Sequence, residues 1–282
     1  MSMKIQITCD STCDMPAVLR ETYNIAVLPM IVTLGDQSFQ DGVDVTNEDL
    51  FAYVESTGCL PKTAAISIYE FDRFFSEFVE DGKQVIHISL SSELSSTYQN
   101  ACIAAEDVGN VYVIDGRNLS TGSSHLALLA SELAAKGMDV AEIVDAVKEA
   151  REKVDVSFVL QTLEYLHKGG RCSGVAAFGA NLMKLRPEIQ VSDGKMDVGK
   201  KYRGSMEKSI LSYVRGRLEG RTDIDTKRIF VMHSGVPQEI LDKVCALVKE
   251  LQPFEEVMVG RAGSTITSHC GPECLGVLFM KR

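Results

Sequence analysis

Short apolar runs alternate with helix-length segments through the first half of the sequence, and that rhythm leaves few folds open. Residues 4–8 alternate as a strand and run into Asp10-Ser11-Thr12, a cap-rich turn ahead of a helix over 16–23. A second apolar strand is predicted at 25–34, then a Gly/Asp loop at 36–45 and a helix opened by Thr46-Asn47-Glu48-Asp49. Residues 59–67 read as an irregular loop, with Ser67 capping a helix over 69–79. Buried strands at 85–89 and 111–114 enclose a helix running to Ala105, and helices at 124–135 and 139–153 follow, the second amphipathic through Val140, Ile143, Val144 and Val147. Such alternation specifies βαβ units and a mostly parallel sheet. Ligand contacts are then expected in the loops after strand C-termini, at Asp10, Thr63 and Ser91 to Thr97.

The second half changes style. A strand is predicted at 156–161, a short helix at 162–167 closed by Gly169-Gly170, and a helix at 175–183. Asp193-Gly194 between alternating residues is a hairpin signal. A further helix, a strand at 228–233, a helix at 237–251 and strands at 257–259 and 275–280 complete the chain. The fold class is therefore α/β. An N-terminal βαβ domain with a mostly parallel sheet is expected over 1–154, and a C-terminal α/β domain with a mixed sheet over 155–282.

The chain has 282 residues, 45% hydrophobic and 24% charged, with a net charge of −10. That balance fits a globular protein and argues against nucleic acid as a partner, since phosphate backbones demand a positive footprint. One stretch runs the other way, with ten Lys/Arg against five Asp/Glu between 195 and 228. It reads either as a solvated hairpin and helix face or as a surface for an anionic partner. The N-terminus leads straight into a strand, and no apolar stretch approaches the ~20 residues of a membrane span, so a cytoplasmic location is expected. The eight cysteines are scattered without a C-x-x-C, which favours thiols and argues against a zinc site.

Ser91-Ser92-Glu93-Leu94-Ser95-Ser96-Thr97 is the densest local signal. One residue suffices to cap a helix, so the run is read as an anion site at a helix N-terminus. Thr63 and His269 carry no local argument; a single histidine of this kind is commonly a hydrogen-bonded structural residue. No phosphate-loop, dinucleotide or serine-hydrolase motif is present. An anion pocket without a visible catalytic engine is what the residues alone describe.

Taken in order, several stretches resemble the DegV family of fatty-acid-binding proteins. They are Asp10-Ser11-Thr12-Cys13-Asp14, Thr63 to Ser67, Ile88 to Tyr98, Val113-Ile114-Asp115 with Ser120 and Gly122, and Leu163 to Arg171. Gly204 with Lys201 and Arg203, His233-Ser234-Gly235 and His269-Cys270-Gly271-Pro272 continue the set. The resemblance implies a long-chain fatty acid held between the two domains, its carboxyl group meeting Thr63, Ser95 and His269. It also implies an acyl-carrying subunit without a cofactor or metal, whose ligand a separate ATP-binding kinase subunit phosphorylates to an acyl phosphate for phospholipid synthesis. Arg203 matches a position linked to docking of that subunit. Three departures stand out: Ala64-Ala65-Ile66 where the family usually reads Ser-Gln-Pro, and Ser96 and Glu273 in place of glycines. The alternative is an enzyme with a small carbonyl substrate held covalently by a histidine, related to the dihydroxyacetone-kinase substrate domain.

Overall fold

A computed structural model of the chain describes residues 4–172 and 185–282. In the first half, β1 (Lys4–Asp10), β2 (Ile25–Leu28), β6 (Lys83–Ser89) and β7 (Val111–Asp115) form one sheet in the order β2-β1-β6-β7. All three pairings are parallel, with Ile7 opposite both Ile25 and Ile86. Helix α1 (Ala17–Thr22) connects β1 to β2, α3 (Ile68–Glu80) leads into β6 and α4 (Thr97–Val108) joins β6 to β7, whereas α5 (Thr121–Ala135) and α6 (Val140–Arg151) follow β7 and lead out of this sheet. Thr46, Ser67 and Asp139 each close a reciprocal capping box, at the starts of α2 (Asn47–Thr57), α3 and α6.

The predicted strand over 25–34 is in fact two. Pro29 has no N–H for the ladder, and the Met30 amide turns away to donate to Ser11 Oγ at 3.0 Å. The chain then leaves the parallel sheet as β3 (Ile31–Leu34) and joins β4 (Gln37–Gln40) and β5 (Lys62–Ala64) in a small antiparallel sheet ordered β4-β3-β5. Its hairpin loop is Gly35-Asp36, and Gly35 takes the positive φ, +63°, that the first position of a tight hairpin requires. Both segments assigned to loops from sequence, 36–45 and 59–67, therefore contain a strand. Strands this short have no room to show a period.

The second half builds a six-stranded sheet ordered β10-β9-β8-β13-β11-β12. Its strands are β8 (Val154–Val159), β9 (Leu185–Ser192), β10 (Lys195–Arg203), β11 (Ile224–His233), β12 (Glu256–Arg261) and β13 (Leu275–Lys281). Only β11 and β12 run parallel, so the sheet is mixed as expected. Asp193 and Gly194, at φ +54° and +82°, make the β9–β10 turn. Helices α7 (Glu164–Gly169), α8 (Met206–Leu218), α9 (Gln238–Leu251) and α10 (Ser264–Cys270) complete the described residues. The helix predicted at 175–183 lies outside them. No sequence signal had marked α10, a seven-residue helix rich in Ser and Thr.

Helix α5 lies between the two large sheets and is buried almost all round, against β1 and β6 on one side and β8 and β13 on the other. Gly122 allows the approach, because a Cβ there would sit 2.6 Å from Val156 Cγ2. Helix α10 crosses in the other direction and packs on α2, β3 and β5. Among the described residues, no helix is long and apolar enough to cross a membrane.

Candidate functional site

Where these elements converge, they line a cavity. Its walls are largely apolar and come from every layer of the fold: Met30 and Leu90 from the first half, Leu166, Met196, Met232 and Leu278 from the second. Phe158 of β8 and Gly276 of β13 face each other in register on its floor, and a Cβ on Gly276 would lie 3.1 Å from that of Phe158. Exposed Ala64 and Arg171 also line the cavity, which marks its opening to solvent.

Thr63, Ser95 and His269 line this one cavity, although 206 positions separate the first from the last. Thr63 sits on β5, opposite buried Val32 of β3, and not in a loop. His269 occupies the last turn of α10, with Nε2 at 2.9 Å from Thr63 Oγ1. Its other nitrogen, Nδ1, has no hydrogen-bond partner among the described residues and lies against Gly169, where a Cβ would come within 2.5 Å. Gly169 is thus needed for α7 to close over the imidazole. Burial, helped by the nearby Arg171 guanidinium, pushes the His269 pKa down to about 4, so the ring is neutral at pH 7. A neutral ring that donates Nε2–H to Thr63 leaves the threonine hydroxyl proton free for a ligand acceptor.

Ser95 Oγ accepts from the Thr97 amide at 3.2 Å and lies 2.8 Å from Thr97 Oγ1. It therefore braces the start of α4 while lining the cavity. The rest of the serine run works differently from its sequence reading. Ser91 Oγ donates to Gly194 O at 2.8 Å, and Ser92 Oγ to Asp115 Oδ2 at 2.6 Å. Those hydroxyls tie the turn to the β9–β10 hairpin and to β7. Of the four serines, only Ser95 reaches the cavity, so density along the chain overstated the anion site.

The first motif of the chain is scaffolding for the same place. Asp10 accepts from the Leu90 amide at 2.7 Å, which fixes the turn that carries Leu94 and Ser95. Asp14 accepts from Gly263 N at 2.7 Å and from Ser120 Oγ at 2.5 Å; Asp41 accepts from Ser264 N at 2.7 Å and from Ser11 Oγ at 2.8 Å. Two buried acidic side chains thus hold the first turn of the helix that carries His269. Burial, and then neighbouring Asp41 and Asp10, raise the Asp14 pKa to about 8.

Two further residues bear on the site. Arg171, the last residue of the Leu163 to Arg171 stretch, is the one Lys or Arg among the cavity-lining residues described. Its guanidinium donates to Gly169 O at 2.6 Å and to Leu94 O at 3.4 Å. Arg203 does not line the cavity; it is exposed at the end of β10. Among the described residues no cluster of His, Cys, Asp or Glu is arranged to hold a metal ion.

The chain matches the family model described as an uncharacterised protein, DegV family, over residues 4–282. A DegV domain-containing protein of Caldanaerobacter subterraneus is 30% identical across 99% of both chains. A DegV family protein from Thermus thermophilus described by its fatty acid binding superimposes at a TM-score of 0.88, with 30% identity over 99% of this chain and all of that one. A DegV lipid-binding protein from Thermotoga maritima does so at 0.87, with 26% identity over 99% of each. Likeness that runs the full length of the sequence, together with a shared fold, makes this chain a member of the DegV family.

Proposed function

We propose that the chain binds one long-chain fatty acid, such as palmitate, with its tail in the apolar cavity and its carboxyl group at Thr63, Ser95 and His269. The observation that carries this reading is a largely apolar cavity lined by Thr63, Ser95 and His269, with Thr63 Oγ1 2.9 Å from His269 Nε2. The Thermus thermophilus and Thermotoga maritima relatives are described as binding fatty acid and lipid. Burying the fifteen or so carbons of a C16 tail is worth roughly 12 kcal/mol gross at ~0.8 kcal/mol each, so the tail supplies affinity. The head group supplies orientation, since an unpaired buried carboxylate would be very costly.

The two domains, 1–154 and 155–282, form the two jaws of this reading, and the protein acts as a cytoplasmic carrier in fatty acid metabolism. It presents the carboxyl group to a separate ATP-dependent kinase subunit for acyl-phosphate formation, with Arg203 on the docking surface. Hydroxyls and a neutral imidazole suit that task, because they satisfy a carboxylate without clamping it against attack. The covalent-carbonyl alternative needs a small polar pocket, and side chains such as Leu90, Phe158 and Leu278 argue against one. Mass spectrometry of lipid extracted from natively purified protein tests the proposal. A long-chain fatty acid at near-unit stoichiometry is expected; protein that carries no acyl ligand and takes none up contradicts it.

A further inference from the structure

Among the described residues, one buried hydroxyl of the cavity lining is left without a partner. Thr265 lies one turn of α10 before His269, about 6 Å along the helix axis and on the same face. It is 3% exposed, lines the cavity, and its Oγ1 has no hydrogen-bond partner among the described residues. Its neighbours are not like this. Ser268 Oγ donates to Ser264 O at 2.7 Å, and the cavity-lining Thr12 and Ser120 give their hydroxyl protons to Asp10 and Asp14.

A second polar side chain lines the same cavity. His233 ends β11 and lines the cavity, and the Ala262 amide, just before α10, donates to His233 O at 2.9 Å. His233 Nδ1 accepts from the amides of Gly235 at 3.3 Å and Val236 at 3.2 Å. A neutral ring that accepts at Nδ1 carries its proton on Nε2, so His233 offers an N–H donor.

A plain hydrocarbon tail laid along this wall would strand the Thr265 hydroxyl in an apolar contact, which buried polar groups in native proteins avoid. A tail that carries its own oxygen would not. We propose that the preferred ligand is an oxygenated long-chain fatty acid, with a hydroxyl or keto group several carbons from the carboxyl group, recognised by Thr265 Oγ1 and the Nε2–H of His233. This rests on the fatty acid reading above and narrows it to a ligand class.

The test is displacement of a fluorescent long-chain fatty acid from delipidated protein by stearate, 5-hydroxystearate and 12-hydroxystearate. Wild type is expected to bind 5-hydroxystearate about tenfold more tightly than stearate, with 12-hydroxystearate gaining nothing. Thr265→Val, which keeps the shape and removes the hydroxyl, abolishes the preference and leaves stearate affinity unchanged or improved; Thr265→Ser retains it. Equal affinity of wild type for stearate and 5-hydroxystearate overturns the inference while the fatty acid site stands. So does a preference that survives Thr265→Val. Failure of all three acids to displace the probe removes the fatty acid reading itself, and the inference with it.

Discussion

The two ends of α10 are built from similar polar atoms and do different work. At its start the backbone amides are closed off: Asp14 and Asp41 take the Gly263 and Ser264 amides, and Ser120 and Ser11 donate to the same two acidic side chains. At its end Thr63 and the His269 ring are joined to each other at the cavity wall, and a threonine hydroxyl bonded to one ring nitrogen retains bonding capacity. A satisfied buried network fixes a structure, and an unsatisfied one at a cavity wall waits for a ligand. On the proposed reading, the start of this seven-residue helix serves mainly stability and its end meets the carboxyl group.

The largest effect is expected at the closed end. Asp41→Ala strands the Ser264 amide and Ser11 Oγ, and should cost about 2–4 kcal/mol in denaturant unfolding. At the open end, Thr63→Ala with Ser95→Ala should cost less than about 1.5 kcal/mol while lowering lipid occupancy in native mass spectra. Normal occupancy in that double variant would remove both residues from the head-group site.

A pH titration sharpens the comparison next. Asp14 has a folded pKa near 8 against an ordinary value of 3.8, so the folded chain holds the extra proton across that window. Stability should therefore fall as pH rises toward 8, most cleanly above 6.5. Below that value His269, with its pKa lowered to about 4, contributes the opposite slope, because there the unfolded chain binds the proton more readily. Asp14→Asn should flatten the alkaline side in urea titrations at pH 6.5 and 8. The smallest effect on lipid belongs to Arg203→Glu, which lies outside the cavity. Lipid occupancy should be unchanged, while phosphorylation coupled to the kinase subunit weakens.

The same contrast explains what was legible in the sequence. The parallel sheet could be read because its strands and helices are long enough to show their periods, and the Asp193-Gly194 turn because its chemistry is local. The site could not be read that way. Thr63 sits on a three-residue strand and His269 on a short Ser/Thr-rich helix, and neither carries a period. Their partnership exists only after residues far apart in the chain have folded together; resemblance to a family pointed to them, and local pattern did not. Arg171 was hidden in a turn whose glycines drew the reading, though Gly169 is there because His269 leaves no space for a side chain. The serine run shows the limit of local density: Ser91 and Ser92 are tied to the Gly194 turn and to Asp115 of β7, and Ser95 lines the cavity.

Carbon-13 NMR of palmitate labelled at the carboxyl carbon, bound to delipidated protein, tests the central claim most directly. A single resonance in slow exchange, distinct from free palmitate and shifted again by Thr63→Ala, is predicted. A resonance identical to that of free or micellar palmitate, or one indifferent to Thr63→Ala, would contradict a carboxyl group held at the open end of α10.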